Sequence, residues 1–158
     1  MEIYTVSFFG NTLICNYKEV YRPLMKKILG LMAAHEHVDF LVGCTGMLDI
    51  MASVIVHRVR EEFDLNNCSL ILVLPRMMKI YADNKELFEK YYDEIEICES
   101  SRAAGSLKSY RLCSRAVIDR SDLVISCIEH KSGSAFRSVE YAGKRNVEIF
   151  NVAASDLK

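Results

Sequence analysis

Short β-type runs along the chain alternate with longer stretches whose apolar residues recur at three- and four-residue steps. Residues 3–9 form the first run, closed by Gly10. From 17 to 34 the pattern turns helical, with Val20, Leu24, Ile28 and Leu31 on one face. Asn16 followed by Glu19 reads as an N-cap with its reciprocal carboxylate, which predicts where that helix starts. Residues 38–42 predict a short buried strand running into Gly43-Cys44-Thr45-Gly46, and 47–62 a second helix. Residues 69–74 show no alternation at all, the mark of a strand covered on both faces, and Pro75 ends it. A less regular region follows, with a short helix over 85–91, a strand over 94–98 and a polar loop through Ser100-Ser101-Arg102. Residues 107–120 predict a helix, 122–128 another doubly covered strand, 133–145 a helix and 147–152 a last strand.

Strand–helix alternation of this kind predicts an α/β fold: a mainly parallel sheet between two helical layers. Right-handed crossovers put the C-terminal ends of parallel strands on one edge, and ligands bind outside that edge near helix N-termini. The loops that fall there are Phe9-Gly10-Asn11, Gly43-Cys44-Thr45-Gly46, Pro75-Arg76-Met77 and Glu129-His130-Lys131-Ser132-Gly133-Ser134.

The length, 158 residues, suits one domain over 1–158, and no linker or repeat divides it. With 51% hydrophobic and 26% charged residues there is material for a full core, which excludes disorder and a disulfide-stapled miniprotein. A net charge of -1 gives no general electrostatic reason to coat nucleic acid; such binding would need a local basic patch. The six cysteines form no C-x-x-C pair and no Cys/His cluster at zinc spacing, so no metal site is expected. Their scatter predicts reduced thiols and a cytoplasmic protein. The first residues lack a signal-peptide layout, and no apolar run reaches membrane-spanning length.

Gly43 and Gly46 let backbone amides approach an anion at a helix N-terminus, although a tight strand-to-helix turn needs the same residues. Ser132-Gly133-Ser134 opens a second helix in the same way. There is no G-x-G-x-x-G and no Walker lysine, and no cofactor is expected. His130 precedes the second loop; His35 and His37 read as partners of a helix C-terminus, and His57 as a boundary residue. Lys108, Arg111 and Arg115 share a helical stripe, read either as a solvated face with an Arg115–Asp119 pair or, with Arg102, as cations for a ligand phosphate. Asp49 and Glu140 are the carboxylates nearest the two glycine loops. Cys44 stands where a helix N-terminus would lower a thiol pKa. No Ser/His/Asp or Cys/His set is identifiable.

Val6 to Thr12 (Val-Ser-Phe-Phe-Gly-Asn-Thr) and Phe40 to Asp49 (Phe-Leu-Val-Gly-Cys-Thr-Gly-Met-Leu-Asp) resemble the DUF1273 (YpsA/YoqJ-like) branch of the SLOG superfamily. So do Leu72-Val73-Leu74-Pro75, Tyr92-Asp93-Glu94, Ser121-Asp122-Leu123-Val124-Ile125 and Gly133-Ser134-Ala135 with Tyr141-Ala142, in the family's order over nearly the whole chain. The resemblance, shared with the lysine-decarboxylase-like and DprA/Smf proteins, implies a single-domain Rossmann-like three-layer sandwich and a bacterial or phage origin. It also implies a crevice for a nucleotide or nucleotide-derived small molecule. Gly10, Asn11, Gly43, Cys44, Thr45, Gly46, Asp49, Pro75, Arg102, Arg115, His130, Ser132, Gly133 and Ser134 are the binding residues to expect. No partner beyond that ligand is implied, and a homo-oligomer is left open.

The chain departs from the family in three places, one being the second loop, where Cys44, Thr45 and Met47 stand in a segment the family makes richer in glycine. Gly10-Asn11-Thr12 replaces the usual Gly-His-Arg, removing an imidazole and a cation. The lysine-decarboxylase-like relatives, which cleave nucleoside monophosphates at the glycosidic bond, carry Pro-Gly-Gly-x-Gly-Thr-x-x-Glu. Here Val139 falls at the glutamate position, with Glu140 turned about 100° around the helix. The expectation is a sensor that binds without rapid turnover. The alternative is a nucleotide N-glycosidase or phosphoribohydrolase with Glu140 or Asp49 as its acid.

Overall fold

A computed structural model describes residues 1–98 and 105–153. In chain order the elements are β1 (Ile3–Gly10), α1 (Tyr17–Ala34), β2 (His37–Val42), α2 (Met47–Phe63), β3 (Cys68–Leu74), α3 (Lys79–Ala82), α4 (Lys85–Tyr91), β4 (Glu94–Ile97), α5 (Ser106–Asp119), β5 (Leu123–Cys127), α6 (Gly133–Lys144) and β6 (Glu148–Asn151). The strands form one sheet in the order β4-β3-β2-β1-β5-β6, and every pairing is parallel. This is the α/β sandwich that the alternation predicts, in the Rossmann-like form that the resemblance implies.

The apolar runs over 69–74 and 122–128 occupy interior strands β3 and β5, and the edges fall to β4 and β6. Those edge strands read Glu-Ile-Glu-Ile and Glu-Ile-Phe-Asn, where charge and alternation guard an open edge. Side chains alternate across the sheet. Val6, Phe8, Phe40, Val42, Leu123 and Ile125 pack with α1 and α2 on one face. Phe9, Leu41, Ile71 and Val124 pack with Cys113, Val117 and Ala142 of α5 and α6 on the other. Tyr81, Phe88 and Tyr92 cover Leu72 and Leu74 beyond α2.

Several local expectations are corrected. Asn16 is the N-cap of α1 only through its carbonyl, which accepts from Glu19 and Val20; its side chain makes no capping bond, so the reciprocal box does not form. The helical turn α3 falls in the region read as irregular, because four residues are too few to show a period. His35 caps α1 by its backbone while its ring stacks on Tyr4, with centroids 3.9 Å apart. His37 belongs to β2, where it meets Ser69 and Asp39 instead of the helix end. Asp119 bonds Tyr141 and Arg145, leaving Arg115 to lie over the Tyr141 ring at 5.1 Å.

The chain builds outward from β1 to β4, then returns to place β5 on the other side of β1. This reversal is the topological switch point, with Gly10 and Cys127 in register at its C-terminal end. Among the described residues no helix is long and apolar enough to cross a membrane.

Candidate functional site

A cavity of about 380 Å³ opens at the C-terminal edge of the sheet. Its floor comes from the ends of β1, β2 and β3, where Phe9, Leu41 and Val73 give apolar surface. Tyr110, Cys113, Ser114 and Val117 of α5 form one wall. The loop into α2 and the first turn of α6 complete the rim, so both glycine loops face one space.

Asp49 lies in the first turn of α2 and reaches back to accept the Gly43 N–H at 3.0 Å. A Cβ on Gly46 would stand 3.0 Å from the tip of the same carboxyl, so a larger residue there would press on Asp49. Burial pushes the Asp49 pKa up to about 6, and the Gly43 N–H only partly offsets it. The residue as a whole is half-buried, but its carboxyl faces the loop. Burial and the nearby Asp49 charge raise the Cys44 thiol too, which reverses the lowering expected from the helix N-terminus. Burial raises Tyr110, further helped by Asp49; its hydroxyl bonds Ser114.

Asn11 works across the switch point. Its N–H donates to the Cys127 carbonyl, and its Oδ1 accepts the N–H groups of Glu129 at 2.6 Å and His130 at 3.2 Å. Glu129 in turn accepts the Cys15 N–H at 3.1 Å, so the loops after β1 and β5 are tied together. Thr12 accepts the Met47 N–H at the start of α2.

The first turn of α6 is arranged differently. Ser132 caps it without a side-chain bond, Gly133 has φ +90, and nothing lies within 4 Å of where a Gly133 side chain would point. Its orphan N–H groups and the helix dipole face the cavity rim.

No protein-family model and no curated protein matches the chain. In fold it is similar to DNA processing protein A from Helicobacter pylori, solved for its single-stranded DNA binding mode. The TM-score is 0.64 at 19% identity, over 94% of this chain and 64% of that one. It is similar as well to DNA processing protein A from Streptococcus pneumoniae, with TM-score 0.66 at 14% identity, over 94% of this chain and 50% of that one. The chain thus spans only about half to two thirds of these proteins. At such identities the likeness shows the fold.

Of the residues singled out from sequence, Gly10, Asn11, Gly43, Cys44, Thr45, Gly46, Asp49, Pro75, Gly133 and Ser134 line the cavity. Ser132 stands just outside as the α6 cap, and His130 is exposed and enters only through its N–H. Arg115 points to Tyr141 instead, and Glu140 is exposed on α6 away from the lining. Arg102 lies outside the described residues. Sequence reasoning missed the α5 wall. Its signal was the stripe Tyr110, Cys113, Ser114, Val117, offset from the cationic stripe that drew attention. Among the described residues no group of three or more His, Cys, Asp or Glu could hold a metal ion.

Proposed function

We propose that the chain is a sensor of the DUF1273 branch that holds a nucleotide-derived small molecule in this cavity without rapid turnover. The observation that carries the reading is the convergence of both glycine loops on one apolar space at the strand C-terminal edge. In this reading a phosphate sits on the open first turn of α6, where N–H groups and dipole attract it. The base lies between Tyr110 and the apolar floor, and Asp49 accepts from a ribose hydroxyl or an exocyclic amine. Glu140 takes no part, since catalysis at a glycosidic bond needs a carboxylate within hydrogen-bond reach of the reacting atoms.

The hydrolase alternative rests on Asp49, whose pKa near 6 suits a proton donor. Single-stranded nucleic acid is the third occupant to test, because the Helicobacter pylori protein of similar fold binds single-stranded DNA. Against it, no Lys or Arg among the described residues lines the cavity.

A thermal-shift series with nucleoside monophosphates, cyclic nucleotides, ADP-ribose and a short oligothymidylate separates the three, since only a ligand of the folded state raises its stability. The sensor reading expects a shift with a mononucleotide, none with the oligonucleotide, and no free base. Base release on the order of 1 per second or faster, lost in Asp49→Asn but not in Glu140→Gln, would replace it with the hydrolase. A shift with oligothymidylate alone would replace it with a nucleic-acid binder.

A further inference from the structure

Cys98 and Cys113 meet at the α5 wall. Cys98 follows β4, where its N–H donates to the Leu74 carbonyl at 2.9 Å, and Cys113 is buried on α5. Their thiols are hydrogen-bonded to each other, and both pack into the cluster containing Ile71 and Val117. A second cavity, of about 350 Å³, opens on Cys98 and is lined also by Val73, Val117, Glu96 and Arg120. Arg120 pairs with Glu96 there and interacts electrostatically with both sulfurs. Val73 and Val117 separate this cavity from the first one, whose wall includes Cys113.

We propose that Cys98 and Cys113 form a redox-active pair, with the second cavity admitting hydrogen peroxide to Cys98 and Cys113 resolving the product to a disulfide. The chemistry balances in two steps. The Cys98 sulfur attacks the peroxide, the O–O bond breaks, and a sulfenic acid and one water form. The Cys113 sulfur then attacks the sulfenic sulfur, the S–O bond breaks, and the departing hydroxyl leaves with the Cys113 proton as a second water. The two thiols lose two electrons and the peroxide gains them.

The order of the steps follows from access and acidity. Cys98 keeps exposed surface toward the second cavity. Burial and the neighbouring Cys98 push the Cys113 pKa up to about 12, so Cys113 is a poor first nucleophile. The approach to a bond of about 2.05 Å runs along the existing hydrogen bond.

The test uses the reduced full chain treated with increasing hydrogen peroxide, then denatured, alkylated and mapped by peptide mass. The expected result is a thiol count two below the starting six, one bridge joining Cys98 to Cys113, and full recovery with dithiothreitol. Cys113→Ser should stop at a sulfenic acid on Cys98 that dimedone traps, and Cys98→Ser should form no bridge at the same dose. If either variant fails to fold, the map of the unaltered chain decides alone. A bridge elsewhere, or no bridge at doses that oxidise the exposed Cys15, overturns the proposal.

Discussion

The two glycine loops look alike in sequence and differ in the structure. Both follow a strand, both open a helix, and both end at the same cavity. In the first, Asp49 takes the Gly43 N–H and Thr12 takes the Met47 N–H, so the loop is filled by the protein's own acceptors. In the second, no side chain caps α6 and no acid stands in its first turn. The difference comes from one position: three residues past the cap, α2 carries Asp49 and α6 carries Ala135. A carboxylate there closes a phosphate loop from inside, and an alanine leaves it open.

The largest effect that tests this contrast is the pH dependence of stability. Because the Asp49 pKa is raised from 3.8 to about 6 in the fold, the folded state holds the proton more tightly than the unfolded one. This contribution is fully present below the unfolded value and is lost as pH rises toward 6, up to about 3 kcal/mol, then flat above. Asp49→Asn keeps an acceptor for Gly43 and removes the titration. Urea unfolding from pH 3.5 to 7 should show the variant without that decline, and matching profiles would mean the carboxylate does not fill the loop.

The next effect separates the two glycines. Gly133→Val forces a branched residue to φ +90, at a cost of about 1–3 kcal/mol, and its side chain covers the open N–H groups. The thermal shift with mononucleotides should vanish. Gly46→Val meets only the Asp49 carboxyl tip, at ordinary φ. It should cost roughly 1 kcal/mol and keep most of the ligand response. Equal losses in both variants would erase the distinction.

The most local effect concerns the strap beside them. Asn11→Ala removes the acceptor for Glu129 and His130 and should cost about 1–2 kcal/mol. Faster hydrogen exchange at those two amides, with the first glycine loop unchanged, is the expected signature.

Most of the fold is legible in the sequence because the buried strands are short runs dominated by apolar residues and each long helix keeps its period. The helix over 17–34 and the strand interiors follow from residues such as Val20, Leu24 and Leu72, whose burial depends on local pattern. The site is only half legible. Glycines announce the loops, but nothing local says that Asp49 folds back onto Gly43. Nor does periodicity say which neighbour a helical stripe will face, so Arg115 drew attention while Tyr110 and Val117 built the wall. Direction across the sheet is a tertiary property. The thiol pair is hidden for the same reason, since Cys98 and Cys113 meet only once α5 has crossed back over the sheet.

The reversal at the switch point also sets a schedule. Thr5 and Asp122, which exchange hydrogen bonds between β1 and the start of β5, lie 117 residues apart. During translation at about 5–20 residues per second, the inner edge of β1 waits roughly ten seconds for its second neighbour. Through that interval one of the two central strands of the finished sheet is an open edge bearing Phe8 and Phe9. The nascent chain is therefore most exposed to mispairing at its centre, and synthesis of β5 ends that exposure.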